Sequence, residues 1–336
     1  MTGAILTFLA AGTAIVVAGS VLTRCGDAIA ELTGLGRLLV GAVLVAGATS
    51  LPEVLVDINA VAREGLPDLA VGDLLGSSLM NLLILATIDF MVRSPRRMLS
   101  RMSAAHALSA TMAILLTAMV AAAILVPFKH EILGIGTGVW AIGIVYFLGL
   151  RMTYFDQRFA ADVAGEKAPA PEVGGRKLSL KAATTGFVAA GAVIFLAAPY
   201  LAHAAGRIAE LTGAGSTFIG STLVALSTSL PELVATIAAV RMGASDLAVG
   251  NIFGSNAFNM VILLPVDLAH PGAVLADVSP AHAITALAVI IVTAVAVLGI
   301  LYRAEKRIWL IEPDAALVVL LVLGALGLLY ALRPAN

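Results

Sequence analysis

The chain has 336 residues, of which 60% are hydrophobic and 12% charged, and its mean hydropathy is +1.02. Soluble domains carry about 25% charged residues, so this composition excludes a water-facing globular enzyme and points to an integral membrane protein. Aromatic residues are 5% of the chain and no run of short alternating segments appears, which argues against an outer-membrane barrel and leaves helices to satisfy the backbone in lipid. The net charge of −1 argues against a nucleic-acid partner, and the single cysteine, Cys25, allows no internal disulfide.

A spanning helix needs about 20 mostly apolar residues. Ten segments meet that length: 4–22, 37–62, 69–92, 103–126, 131–151, 182–204, 217–240, 247–267, 281–302 and 309–332. Met1-Thr2-Gly3 places no Lys or Arg ahead of the first segment, so it reads as a retained helix rather than a secretory signal. The stretch 152–181, with Asp156, Arg158, Asp162, Glu166, Lys167, Pro169 and Pro171, is the most polar connection. It divides the chain into a first five-helix half, 1–151, and a second, 182–336. Alternating the connections between two sides puts 16 of the 20 Lys and Arg on one side. That side is then cytoplasmic, the 152–181 linker lies in the cytoplasm, and both termini lie outside.

The halves repeat one another. Ile29-Ala-Glu-Leu-Thr-Gly34 recurs as Ile208-Ala-Glu-Leu-Thr-Gly213, and Thr49-Ser-Leu-Pro-Glu53 as Thr228-Ser-Leu-Pro-Glu232, both 179 residues on. Asp68-Leu-Ala-Val-Gly72 recurs as Asp246-Leu-Ala-Val-Gly250, 178 residues on. With five segments between equivalent positions, the second half enters the membrane inverted, an architecture of secondary transporters.

The Thr-Ser-Leu-Pro-Glu motif is costly inside a membrane. Pro52 and Pro231 each remove an N–H and free a carbonyl one turn back, those of Ala48 and Ser227. Glu53 and Glu232 add carboxylates at about 2.5 kcal/mol or more each on insertion scales. Carbonyl, hydroxyl and carboxylate oxygens are the ligands that Na⁺ and Ca²⁺ prefer, so a bound cation would offset both penalties. Thr49, Ser50, Glu53 and Asp57 share one broad helix face, and Asp73, Ser77 and Asn81 recur every four residues on the next helix. The second half offers Thr228, Ser229 and Glu232, then Asn251, Ser255 and Asn259.

On these motifs the chain resembles the cation/calcium exchanger superfamily, closest to the prokaryotic Na⁺/Ca²⁺ exchangers. The carrying stretches are Gly47-Ala-Thr-Ser-Leu-Pro-Glu53 with Gly72-Asp-Leu-Leu-Gly-Ser-Ser-Leu-Met-Asn81, and Ser227-Thr-Ser-Leu-Pro-Glu232 with Gly250-Asn-Ile-Phe-Gly-Ser-Asn-Ala-Phe-Asn259. They lie within 46–81 and 225–259. The resemblance implies an all-α membrane protein with Pro-broken helices at its core and ion sites between the second, third, seventh and eighth segments. Glu53 and Glu232 would bind Ca²⁺ and share Na⁺, with oxygen from Thr49 and Thr228. Ser50, Ser77, Ser229 and Ser255 would line outer Na⁺ sites with the carbonyls of Ala46 and Ala225, and Asn81 and Asn259 would complete the central site. The implied function is a plasma-membrane antiporter that exports Ca²⁺ for Na⁺, with no cofactor, no required oligomer and no catalysis, sliding the first and sixth segments across the core.

Two positions depart from the family pattern. Asp57 stands where the second half has Thr236, and Asp73 where it has Asn251. If all four acids face one pocket, crowded carboxylates repel and favour holding a proton. H⁺ coupling, or transport of Mn²⁺ or Mg²⁺, is then the alternative. The other reading places Asp57 and Asp73 near the membrane surface or against each other. Glu31 and Glu210 read as structural residues, Asp68 and Asp246 as helix caps, and Asp89 and Asp267 as helix-end residues near the interface. The five histidines fit no ligand spacing, and Cys25 reads as a small apolar residue at a helix end. A channel is disfavoured because channels usually build pores by oligomer symmetry. An intramembrane enzyme is disfavoured because no His-Glu-x-x-His, Gly-x-Ser-x-Gly or Walker motif is present.

Overall fold

A computed structural model describes residues 1–91, 104–164, 178–212, 226–302 and 313–331. Nearly all of these are helical. Helix α1 is Thr2–Thr33, and a composite segment follows: α2 (Arg37–Val40), a π-helical turn (Gly41–Val45), α3 (Ala46–Thr49) and α4 (Leu51–Ala62). The first half continues with α5 (Pro67–Met91), α6 (Ala104–Leu125) and α7 (Thr137–Ala164). After it come α8 (Leu180–Leu211), α9 (Leu230–Arg241), α10 (Ser245–Ala269), α11 (Ala281–Tyr302) and α12 (Pro313–Ala331). Among the described residues seven helices are long and apolar enough to span a membrane, and the composite segment, bent by 45°, is an eighth candidate. The remaining expected segments, 217–240 and 309–332, fall only partly within the described residues, as α9 and α12.

Several extents differ from expectation. Helix α1 does not stop at residue 22 but runs to Thr33, so Cys25 is buried within a helix rather than at its end. Charges near its C-terminal end are neutralised locally: Arg37 Nε lies 2.6 Å from Asp27 Oδ1, and its Nη2 reaches Glu31. The expected helix over 131–151 begins only at Thr137. Residues 131–136 form a two-stranded antiparallel hairpin pairing Glu131 with Gly136 and Ile132 with Ile135, turned by Leu133 and Gly134 at positive φ. The linker is not wholly irregular, since α7 continues to Ala164 and α8 starts at Leu180, capped by the Ser179 hydroxyl accepting from Ala182 N. Residues 165–177 lie outside the described residues.

Helix α10 is the centre of the molecule. It packs on α2 through α7 and on α9, and Leu247, Ile252, Phe253, Met260 and Val266 are each at most 1% exposed. Its approach to the composite segment requires glycine. A Cβ on Gly250 would lie 2.5 Å from Leu38 O, one on Gly41 2.5 Å from Leu247 O, and one on Gly254 would collide with Ala42. The π-helical turn sits at this crossing, as such wide turns often do near functional sites. Apolar side chains on either side of α10 fill the remaining space: Leu74, Leu116, Ile142 and Val274 in one cluster, Leu79, Leu82, Val289 and Val318 in another. Helices α1 and α8 pack along each other, α1 against α9 and α8 against α3 and α4, and present Leu6, Leu9, Val17, Val188 and Leu196 outward.

Three aspartates have partners the sequence did not foresee. Asp68 does not cap its own helix; its Oδ1 accepts from Ser279 N at 2.7 Å and pairs with His282 Nε2 at 3.0 Å. Asp246 likewise is not a cap, since Ala244 holds that position without a side-chain bond; it pairs with His106 Nε2 at 3.1 Å. Asp267, in the last turn of α10, is fully buried by protein and accepts from Gly136 N and Val274 N. Asp89 is also buried, at 6% exposure. Glu31 joins the Arg37 cluster and Glu210 pairs with Arg207 at 2.9 Å, both structural contacts.

Candidate cation site

Both Thr-Ser-Leu-Pro-Glu motifs break the helix at the same place. Ser50 (φ −88°, ψ 7°) and Ser229 (φ −83°, ψ 6°) leave helical geometry, and Pro52 and Pro231 fall in the first turn of α4 and α9. The prolines therefore do not sit in the interior of a continuous helix with a clashing carbonyl. They start a new helix where a missing N–H costs nothing. Glu53 and Glu232 follow in that first turn, where unpaired backbone N–H groups favour a carboxylate. Both are completely buried.

The half-helices and the two crossing helices bring most of the expected residues together. Ser50 Oγ donates to Glu232 Oε1 at 3.2 Å, reaching from the first motif to the second. Ser77 Oγ on α5 lies 3.5 Å from Glu53 Oε1. Thr49 Oγ1 lies 3.1 Å from the carbonyl of Ala46 and 3.4 Å from Asn251 Oδ1 on α10. Asn81 Nδ2 donates to Asn256 Oδ1 at 3.0 Å, and Asn259 Nδ2 reaches Leu74 O and Ser78 Oγ, each at 3.3 Å. Thr228, Ser229 and Ser255 are buried at 5% exposure or less. Ala225 lies outside the described residues.

The unpaired atoms give the site its chemistry. Asn81 and Asn259 direct their N–H₂ groups into the protein and leave their carbonyl oxygens free. Around the two motifs, Glu53 Oε2, Glu232 Oε2, Asn81 Oδ1, Asn259 Oδ1, Ser229 Oγ and Ser255 Oγ are buried without a hydrogen-bond partner. All six are oxygens; the glutamates and asparagines form matched pairs from the two halves, and both serines come from the second half. Buried oxygens without donors carry a desolvation penalty that a hard cation would relieve. Among the described residues no three His, Cys, Asp or Glu side chains cluster as a metal cage. The donor set is a mixture of carboxylate, amide and hydroxyl oxygens, the kind suited to weak and reversible binding.

Asp57 and Asp73 lie one turn from Glu53 and Ser77, on α4 and α5. Asp57 is fully buried with both oxygens unpaired, and Asp73 is half-buried with Oδ2 unpaired. The two carboxyl groups lie within electrostatic reach of each other, and both lie within electrostatic reach of Glu53. Sequence reasoning did not single out Ser78 and Asn256, which tie α5 to α10: Asn256 Nδ2 donates to Ser78 O at 3.2 Å. Their equivalent places in the two Gly-Ser-x stretches were the available signal.

The family profile described as sodium/calcium exchanger protein matches residues 3–154 and 182–332. The putative antiporter CaxA of Alkalimonas amylolytica is 29% identical, over 71% of this chain and 72% of its own. The inner membrane protein YrbG of Escherichia coli is 32% identical, over 69% of each chain. Among solved structures, the sodium-calcium exchanger NCX_Mj soaked with 2.5 mM Na⁺ and 1 mM Sr²⁺ superposes with a TM-score of 0.68 at 19% identity, covering 96% of this chain and 97% of that one.

Proposed function

The chain belongs to the sodium/calcium exchanger protein family and is a multi-pass membrane cation antiporter rather than an enzyme, and from that premise we propose that it exports Ca²⁺ in exchange for Na⁺. The observation that carries this reading is the set of six unpaired, buried oxygens contributed by both motifs. Ca²⁺ takes oxygen ligands from carboxylates, carbonyls and amides, and Na⁺ can occupy the same carboxylates when Ca²⁺ leaves. Glu53 and Glu232 are the charged ligands. Asn81 and Asn259 complete the centre, Thr49 and Thr228 supply oxygen beside it, and Ser50, Ser77, Ser229 and Ser255 with the carbonyls of Ala46 and Ala225 line its flanks. Asp57 and Asp73 add negative charge one turn farther along α4 and α5.

Transport proceeds by alternating access between two inverted halves, 1–151 and 182–336, each of five spans, joined by the cytoplasmic linker 152–181. The matched breaks at Ser50 and Ser229 support this, as do the reciprocal pairs Asp68–His282 and Asp246–His106, in which each half clasps a helix start of the other. Helices α1 and α8 move together across the core. Gly19 of α1 faces Val234 of α9 and Gly191 of α8 faces Ala48 of α3, which leaves little relief between the sliding surfaces. Both termini lie outside a prokaryotic inner membrane, a reading that the Lys and Arg distribution supports.

The test is ⁴⁵Ca²⁺ uptake into proteoliposomes loaded with Na⁺ and diluted into Na⁺-free buffer, beside vesicles carrying only a pH gradient. Uptake driven by the Na⁺ gradient is expected. Uptake driven by the pH gradient alone would move the protein to H⁺ coupling.

A further inference from the structure

The positions facing Asp57 and Asp73 in the other half are Thr236 and Asn251. There the two side chains satisfy each other: Asn251 Nδ2 donates to Thr236 Oγ1 at 3.0 Å, and Thr236 Oγ1 donates to Glu232 O at 2.7 Å. Nothing charged remains. Beside Glu53 the same two places hold carboxyl groups that face each other, with three of their oxygens buried and unpaired. Asp57 is 0% exposed, so water cannot hydrate it, and no Lys, Arg or His lies among the groups acting on either carboxylate. A buried acid pair without a donor needs a counter-charge.

We propose that Asp57 and Asp73 form an accessory divalent-cation station, one helical turn from Glu53 toward the 63–66 connection, with no equivalent beside Glu232. One divalent ion neutralises both carboxylates, whereas a monovalent ion leaves net charge in the pocket. The station lies on the path to the central site from one membrane face only, so it raises cation capture from that face. This inference rests on the exchanger reading above.

Equilibrium ⁴⁵Ca²⁺ binding to the purified full-length protein tests it, with three variants. Asp57→Thr combined with Asp73→Asn installs the neutral pair that the chain already folds around in its second half. Glu232→Gln disables the central site without touching the pair. Wild type is expected to show a second, weaker class of Ca²⁺ that the Thr/Asn variant loses and Glu232→Gln keeps. Asp73→Asn alone, which retains Asp57, should weaken that class about tenfold and serves if the double variant does not fold. A single class in wild type, or binding unchanged in the double variant, overturns the proposal. So does unchanged binding with a displaced pH profile of transport, which would assign the pair a proton. If instead Glu232→Gln leaves all binding intact, the central-site reading fails and the accessory station is judged by the double variant alone.

Discussion

Around Glu232, the flanking Thr236 and Asn251 close on each other and on the Glu232 carbonyl, and neither carries a charge. Around Glu53, the corresponding Asp57 and Asp73 leave their oxygens open, so three acids lie within reach of one another. The two regions share the break at serine, the proline in the first helical turn and the buried glutamate. They differ only in what lies one turn away. Backbone geometry is thus repeated where the central oxygens must converge, and side-chain charge is varied where it changes how an ion approaches.

The glutamates test the shared part. Glu53→Gln and Glu232→Gln should each reduce Na⁺-driven Ca²⁺ uptake to background while the protein stays monodisperse in detergent. A large loss in one and none in the other would break the equivalence of the two motifs. The next largest effect is expected at the asparagines. Asn81→Ala and Asn259→Ala each remove an inward amide bond and a free oxygen, and should lower stability by about 1–2 kcal/mol in thermal or denaturant unfolding as well as weaken Ca²⁺ binding. Loss of stability without weaker binding would make them struts rather than ligands. The smallest effect belongs to the histidines. His282→Ala and His106→Ala break the two reciprocal ties to Asp68 and Asp246, each worth about 1 kcal/mol or less as an ion pair. His106 should be the more costly because it is 2% exposed and its removal also leaves a cavity.

Much of the site was legible because carboxylates and prolines are conspicuous in an apolar chain. Glu53, Glu232 and the amide and hydroxyl stripes stand out against a 60% hydrophobic background, and their spacing assigns helix faces. What sequence could not reveal were partners far apart in the chain. Asp267 reads as a helix-end residue, and the sequence does not show that its carboxylate receives N–H groups from Gly136, 131 positions away, and from Val274. Asp68 and Asp246 looked like caps because their histidine partners lie in other helices. The end of α1 was placed too early because Asp27 and Glu31 resemble polar chain, whereas Arg37 neutralises them and lets the helix continue. The hairpin at 131–136 was hidden in an apolar run, where hydropathy alone does not distinguish strand from helix.

Anomalous diffraction from crystals soaked in Sr²⁺, a heavier analogue of Ca²⁺, tests most directly that the free oxygens of both halves form one cation site. A principal peak is expected at bonding distance, about 2.3–2.6 Å for Ca²⁺ and slightly longer for the larger ion, from both Glu53 Oε2 and Glu232 Oε2. A principal peak bonded to neither glutamate, or to the oxygens of one half alone, would contradict the account.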